Sequence, residues 1–342
     1  MSGTRENNFV LDIEDLAVKY ITDDGVVHAL NGVNLKLEKG RTVGVVGETG
    51  AGKTTTALAI LRLIQEPPGK IVGGKILFEG NDLFRCTEDE MESIRGNKIS
   101  MIFQDPMTSL NPSLTVGDQI AEVIEIHQGL AKADAMKKAC EMLELVGIPG
   151  ERATEYPHQF SGGMKQRVII AIALACNPDL LIADEPTTAL DVTIQAQVLE
   201  LMKDLKKRYR TSMIMITHDL GIVAEVCDTV SIMYAGRIIE YGNLEDVFER
   251  TKHPYTEGLF NSLPDIEKRD EMLKPIKGLM PDPTHLPGGC SFHPRCNYAR
   301  DICANRRPDL TRVGEEHYVE CLGYEEGTGV EVAIGGVGDD VR

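Results

Sequence analysis

Three glycines, a lysine and two threonines fall within eight residues, Gly47-Glu48-Thr49-Gly50-Ala51-Gly52-Lys53-Thr54. This is the spacing of a phosphate-binding P-loop. Glycines let consecutive backbone N–H groups curl around phosphate oxygens, and a helix start behind them adds a favourable dipole. Lys53 then reaches the β- and γ-phosphates and Thr54 ligates Mg²⁺. Nucleotide contact is therefore expected along Gly47, Glu48, Thr49, Gly50, Ala51, Gly52, Lys53, Thr54 and Thr55. A glycine turn without a ligand is the bland alternative. It loses force because Thr42 to Val46 reads as a short strand and Thr55 to Ile64 as a helix that Pro67-Pro68-Gly69 stops.

Leu180-Leu181-Ile182-Ala183-Asp184-Glu185 supplies the complementary chemistry. An apolar run delivers Asp184 to the Mg²⁺ shell, and Glu185 is placed to orient or polarise an attacking water. A surface acidic pair is the plain reading of two adjacent carboxylates. Paired with the phosphate loop, the catalytic reading is the stronger one.

These side chains need a scaffold, and the remaining pattern describes it. Val33, Leu35 and Leu37 alternate with Asn34, Lys36 and Glu38, the period of a half-buried strand. Lys75 to Glu79 and Ile99 to Phe103 read as further strands. Leu180 to Ala183 and Met213 to Ile216 are continuous apolar runs, as expected of strands buried on both faces of a parallel sheet. Between Asp118 and Val146 the period turns helical, with Ile120, Val123, Ile124, then Met136, Ala139, Cys140 and Leu143, and Gly147 closes the segment as a C-cap. An α-rich insert, about 105–160, thus sits inside an α/β domain covering 1–264. After Pro264 the pattern dissolves into Pro, Gly and Cys, and from Gly323 the chain is Gly-rich and acidic. We read 265–322 as a small cysteine-rich extension and 323–342 as a disordered tail.

Phe160-Ser161-Gly162-Gly163-Met164-Lys165-Gln166-Arg167 settles the class. A hydroxyl and glycine N–H groups at a helix start make a second anion site, although a Ser-Gly-Gly helix cap needs no ligand. The stretch resembles the signature of the ABC (ATP-binding cassette) family, Leu-Ser-Gly-Gly-Gln, with Phe160 and Met164 departing from that form. Further marks follow in order. Gln104 resembles the glutamine that senses Mg²⁺ and the transmembrane partner, Ala189-Leu190-Asp191 resembles the D-loop, and His218 resembles the switch histidine on the γ-phosphate. Tyr20 is the candidate for the aromatic stacked on adenine, against the plainer reading of a core or surface tyrosine. The resemblance spans about Phe9 to Pro264. It implies a P-loop NTPase of the ABC type, in which Ser161, Gly162 and Gly163 close on the triphosphate held by an opposite subunit.

Ser231 to Glu240, His253-Pro254-Tyr255-Thr256 and Leu286 to Cys296 look like the ATPase subunits of dipeptide, oligopeptide and nickel importers. That branch implies a homologous ATPase partner (the same chain or another), two membrane permeases, an external binding protein and a seat on the cytoplasmic face of the membrane. Composition agrees. The formal net charge of -17 repels phosphate backbones, so no nucleic-acid partner is expected. That charge and the single cassette make a soluble ATPase of repair or translation the more remote alternative, and intact Glu185 and His218 argue against a non-enzymatic sensor. Met1 to Asn8 is too polar for a secretory signal, and the apolar run Val168 to Cys176 is too short to cross a bilayer.

Cysteine usage divides in two. Cys86, Cys140, Cys176 and Cys227 are scattered and read as small core hydrophobes, with disulfides not expected in a reducing compartment. Cys290, Cys296, Cys303 and Cys321 crowd into a segment poor in apolar residues, which points to a metal knot in place of a core. Tight two-residue zinc pairs are missing, and iron–sulfur clusters accept varied spacing. Resemblance to peptide-importer ATPases, some of which carry a [4Fe–4S] cluster here, favours iron–sulfur with zinc as the alternative. His293 and His317 could act as ligands but read as solvated loop histidines.

Overall fold

The computed structural model describes residues 8–104, 109–188, 190–262 and 275–334. Ala189, the boundary expected at Pro264, the first residues of the helical insert and the end of the tail lie outside the described residues. The strands are β1 (Phe9–Thr22), β2 (Gly25–Glu38), β3 (Thr42–Val46), β4 (Gly69–Phe78), β5 (Asn81–Asp82), β6 (Ile99–Ile102), β7 (Leu180–Asp184), β8 (Ser212–Thr217), β9 (Thr229–Tyr234), β10 (Arg237–Asn243), β11 (Leu310–Arg312) and β12 (Tyr318–Glu320). The α-helices are α1 (Lys53–Ile60), α2 (Glu88–Ile94), α3 (Val116–Gln128), α4 (Lys132–Leu145), α5 (Gly162–Leu174), α6 (Val192–Tyr209), α7 (Leu220–Val226), α8 (Leu244–Glu249), α9 (Pro254–Asn261) and α10 (Asp301–Asn305). β2, β1, β4 and β5 lie in that order in one four-stranded sheet. Its alternation is as expected, since Val33, Leu35 and Leu37 are buried.

Contacts divide the chain into two compact units. The first comprises Met1–Asp12, Lys36–Thr42 and Ile76–Thr217. Its centre is the parallel ladder β6-β7-β8, with Ile99 opposite Leu180 and Leu180 opposite Ser212. Every residue of β7 and β8 is buried, which is why both read as unbroken apolar runs rather than alternating ones. The helical insert forms as α3 and α4. Thr115 caps α3 by accepting the Asp118 N–H at 3.1 Å, and Gly129 ends it with φ 64°. Ile120 and Ile124 of α3 and Ala139 and Leu143 of α4 are fully buried, each large one worth about 1.5–3 kcal/mol of transfer free energy. Gly147, with φ 77°, follows the C-cap Val146 as the expected left-handed glycine.

The second unit comprises Ile13–Leu35, Val43–Lys75 and His218–Arg342. β3 runs parallel to β9, with Val43 opposite Thr229. The β9–β10 hairpin turns on Ala235 and Gly236, both with positive φ, the geometry whose twist matches a two-residue hairpin. β12 continues the ladder antiparallel to β10, and β11 pairs with β12, so the C-terminal segment adds strands to the same sheet. Helix α1 starts two residues earlier than Thr55 and stops at Ile60, short of Ile64. Arg62 takes φ 52°, which no α-helix tolerates, and so ends the helix before the prolines do.

Candidate nucleotide site and cysteine cluster

The phosphate loop belongs to the second unit, between β3 and α1. Two of its glycines are sterically required. A Cβ on Gly47 would stand 2.2 Å from the Met233 carbonyl oxygen, and one on Gly52 would stand 2.8 Å from that of Ala29. Gly50 and Gly52 adopt φ 84° and 107°, a region L side chains avoid. The Ala51 N–H bonds the Glu48 carbonyl at 3.1 Å, and the Gly236 N–H bonds the Ala51 carbonyl at 2.8 Å, so the hairpin of β9 and β10 pins the loop. Lys53 is 7% exposed and its ammonium donates to the carbonyls of Gly47 at 2.7 Å and Glu48 at 3.1 Å. The cation is thus held over the loop mouth. Thr54 is exposed and Thr55 half-buried at the helix start; Thr49 is exposed. Tyr20 is half-buried on β1, its ring edge within 3.1 Å of where a Gly69 Cβ would stand. His218 is exposed immediately after β8.

The first unit holds the remaining motif residues. Asp184 closes β7 and is only 2% exposed, a carboxylate delivered to a strand end by a fully buried strand. Glu185 follows with φ 48°, strained for a side chain of this kind, and its N–H bonds the Ile216 carbonyl at 2.8 Å. The Glu185 carboxylate accepts from Gln104 Nε2 at 3.2 Å and Thr188 Oγ1 at 2.9 Å. Gln104 and Glu185 are therefore brought together, 81 residues apart in the chain. Ser161 caps α5, its hydroxyl accepting the Met164 N–H at 3.4 Å, and is exposed with Gly162. Gly163 cannot carry a side chain, because a Cβ would stand 2.4 Å from Ile194 Cγ2 of α6. Asp191 caps α6, accepting the Ile194 N–H at 3.0 Å.

Cys290, Cys296, Cys303 and Cys321 are free thiols that line a single cavity of about 20 Å³ in the second unit. Phe292, Leu322, Val330 and Val332 complete its apolar wall. Val330 and Val332, in the segment read as a disordered tail, pack against Cys303 and Leu322 there. Burial pushes the Cys290 thiol up to about 11 and that of Cys321 up to about 12, and burial also raises Cys296. The neighbouring backbone of Phe292 and His293 partly offsets this at Cys290, that of Tyr298 and Ala299 at Cys296, and that of Gly323 at Cys321. Among the described residues, however, no three His, Cys, Asp or Glu side chains are grouped so as to hold one metal ion. The structure therefore does not itself display the expected metal knot.

Of the two histidines read as solvated, His317 is buried and His293 is half-buried. His317 is 2% exposed and its Nε2 sits 2.8 Å from Glu240 of β10, while His293 Nδ1 meets the Cys290 carbonyl at 2.9 Å. Glu240 is buried and also accepts the N–H groups of Lys252 at 2.7 Å and His253 at 3.0 Å. Burial holds the His253 imidazole down to about 3, so as a neutral acceptor it takes the Tyr255 N–H at 3.0 Å and starts α9. This network went unread because its members are far apart in sequence and no short motif links them.

A phosphate loop after a buried strand, an acidic pair ending a second buried strand and a Ser-Gly-Gly helix start together define a P-loop ATPase cassette. Residues 30–188 match the ABC transporter family and residues 239–303 the oligopeptide/dipeptide transporter C-terminal region. The oligopeptide transport ATP-binding protein OppD of Bacillus subtilis is 54% identical over 314 residues, covering 91% of this chain and 88% of the relative. The dipeptide transport ATP-binding protein DppD of the same organism is 50% identical over 314 residues, covering 91% and 94%. Among solved structures, a dimeric post-hydrolysis state of the ATP-binding cassette MJ0796 bound to ADP and phosphate superposes with a TM-score of 0.62 at 27% identity, over 68% of this chain and 98% of that one. The chain belongs to the ABC transporter family of ATP-binding proteins. Among the described residues no helix is long and apolar enough to cross a membrane.

Proposed function

We propose that this chain is the ATP-hydrolysing subunit of an importer for dipeptides or oligopeptides. The observation that carries the reading is the oligopeptide/dipeptide transporter C-terminal region, matched over 239–303, beside an ABC transporter match over 30–188. The cassette takes 1–264 and the extension 265–322. Lys53 and the amides from Gly47 to Thr55 hold the triphosphate, and Tyr20 stacks on the adenine. Oxygen donors suit Mg²⁺, and Thr54, Gln104 and the buried carboxylate of Asp184 offer them. Glu185 orients the water, His218 meets the γ-phosphate, and Ser161, Gly162 and Gly163 of a second ATPase chain clasp the same nucleotide near Asp191. Closure is favoured because the γ-phosphate supplies contacts between the two chains, and hydrolysis removes them. Two permeases and an external binding protein complete the transporter, with this chain on the cytoplasmic face. Affinity capture of the tagged chain from detergent-solubilised membranes should recover two permeases and a second ATPase chain. Recovery of ribosomes or nucleic acid instead would sink the reading.

We propose further that the four thiols take an iron–sulfur cluster, a reading that rests on the chemistry of four soft sulfur donors in one short segment. They line one cavity whose wall includes Phe292, Leu322, Val330 and Val332. Zinc, which takes four sulfurs in a tetrahedron, is the alternative. Ligation requires thiolates, so binding must draw protons off thiols that burial keeps neutral. When bound, the cluster would add to the small core that Leu322, Val330 and Val332 form there. Protein purified without oxygen is expected to be brown with stoichiometric iron; a colourless, zinc-bearing protein would reverse the assignment.

A further inference from the structure

We propose that Arg295, supported by Phe292, is a positioning residue of the nucleotide site, through which the loop between Cys290 and Cys296 sets nucleotide affinity. The inference rests on the reading of Gly47 to Thr55 as a triphosphate cradle. Arg295 grips the second residue of that cradle. Its Nη1 and Nη2 donate to the two carboxylate oxygens of Glu48 at 2.8 and 3.1 Å, a bidentate fork. The Arg295 side chain is 7% exposed and that of Glu48 28%, so the pair is mostly shielded from water and is not a loose surface contact.

The rest of the surroundings aim the same way. The Glu48 N–H donates to the Tyr255 hydroxyl at 3.0 Å. Phe292 is buried against Tyr234 and Tyr255, with ring centroids at 5.3 and 5.4 Å. Tyr234 follows Met233, whose carbonyl abuts Gly47. The backbone of Gly47 and Glu48 is thus backed by β9, by α9 and by two side chains of a loop only five residues long between thiols. That loop is itself stiff. The Cys290 N–H bonds the Cys303 carbonyl at 2.9 Å, and the N–H groups of His293 and Arg295 bond the carbonyls of Cys290 and Phe292 at 3.0 Å each. Whatever draws Cys290 and Cys296 together also fixes where Arg295 and Phe292 stand.

The competing account is a staple that contributes stability only. Binding of a fluorescent ATP analogue to the full chain, with thermal unfolding and iron content measured on each sample, separates the two. Arg295→Gln is expected to weaken nucleotide binding about tenfold, Arg295→Lys less because it cannot make the fork, and Glu48→Gln in the same direction with iron content unchanged. The double variant Arg295→Gln/Glu48→Gln should be no weaker than the worse single variant, since one interaction is removed in both. Wild-type affinity in Arg295→Gln or in Glu48→Gln, with only the unfolding midpoint lowered, would overturn the proposal, as would effects that add. Glu48→Gln lies outside the cysteine-rich segment and keeps the test decisive should Arg295→Gln not fold. If wild-type protein bound no nucleotide, or bound it undiminished by Lys53→Ala, the cradle reading itself would fail. That outcome is distinct from normal binding that merely ignores Arg295.

Discussion

Glu185→Gln is expected to slow ATP hydrolysis by roughly 10²–10⁴-fold while nucleotide still binds, the span a well-placed general base supplies. At about 1.36 kcal/mol per decade this is roughly 3–5 kcal/mol of barrier. The substitution preserves shape, so its effect isolates the charge. The carboxylate accepts from Gln104 at 3.2 Å and Thr188 at 2.9 Å, and its backbone takes φ 48° with the N–H on Ile216. Such backbone strain persists only where surrounding contacts over-determine it, and here it aims one side chain off the end of a buried strand. Single-turnover hydrolysis and size-exclusion chromatography with ATP form the test. The variant should retain ATP and accumulate as a closed dimer. Brisk turnover would remove Glu185 from the water-orienting role and shift attention to His218.

Lys53→Ala should remove detectable nucleotide binding. The ammonium sits over the loop, donating to Gly47 at 2.7 Å and Glu48 at 3.1 Å, and is 7% exposed. Hydrogen bonds to charged groups contribute about 1.5–3 kcal/mol each. Losing two to the phosphates costs roughly 3–6 kcal/mol, or about 10²–10⁴ in affinity. Equilibrium binding of labelled ATP measures it directly. Affinity within a few-fold of wild type would contradict the phosphate cradle, whereas a fall confined to turnover would restrict Lys53 to the chemical step.

Local sequence carried a great deal of this protein. The phosphate loop, the acidic pair and the Ser-Gly-Gly helix start are contiguous, so their spacing alone specifies backbone geometry. Gly47, Gly52 and Gly163 are places where a Cβ would collide with neighbouring atoms. The strands β3, β7 and β8 were legible for a similar reason, since burial on both faces imposes unbroken apolar runs. Helix α1 was misjudged at both ends because Lys53 and Thr54 already turn with the helix, and because Arg62 leaves helical φ/ψ without any glycine to announce it.

What only the tertiary structure decided involves partners distant in the chain. Nothing in spacing says that Arg295 meets Glu48, 247 residues away, or that His317 is buried on Glu240, 77 residues away. Nor could the pattern around Gly323 reveal that Val330 and Val332 pack beside the thiols, since two isolated valines in a glycine-rich stretch carry no period. Short-range order follows from steric and periodic rules that act over a few residues. Long-range pairing depends on which surfaces the folded sheet and its C-terminal strands bring face to face, and that is a property of the whole chain.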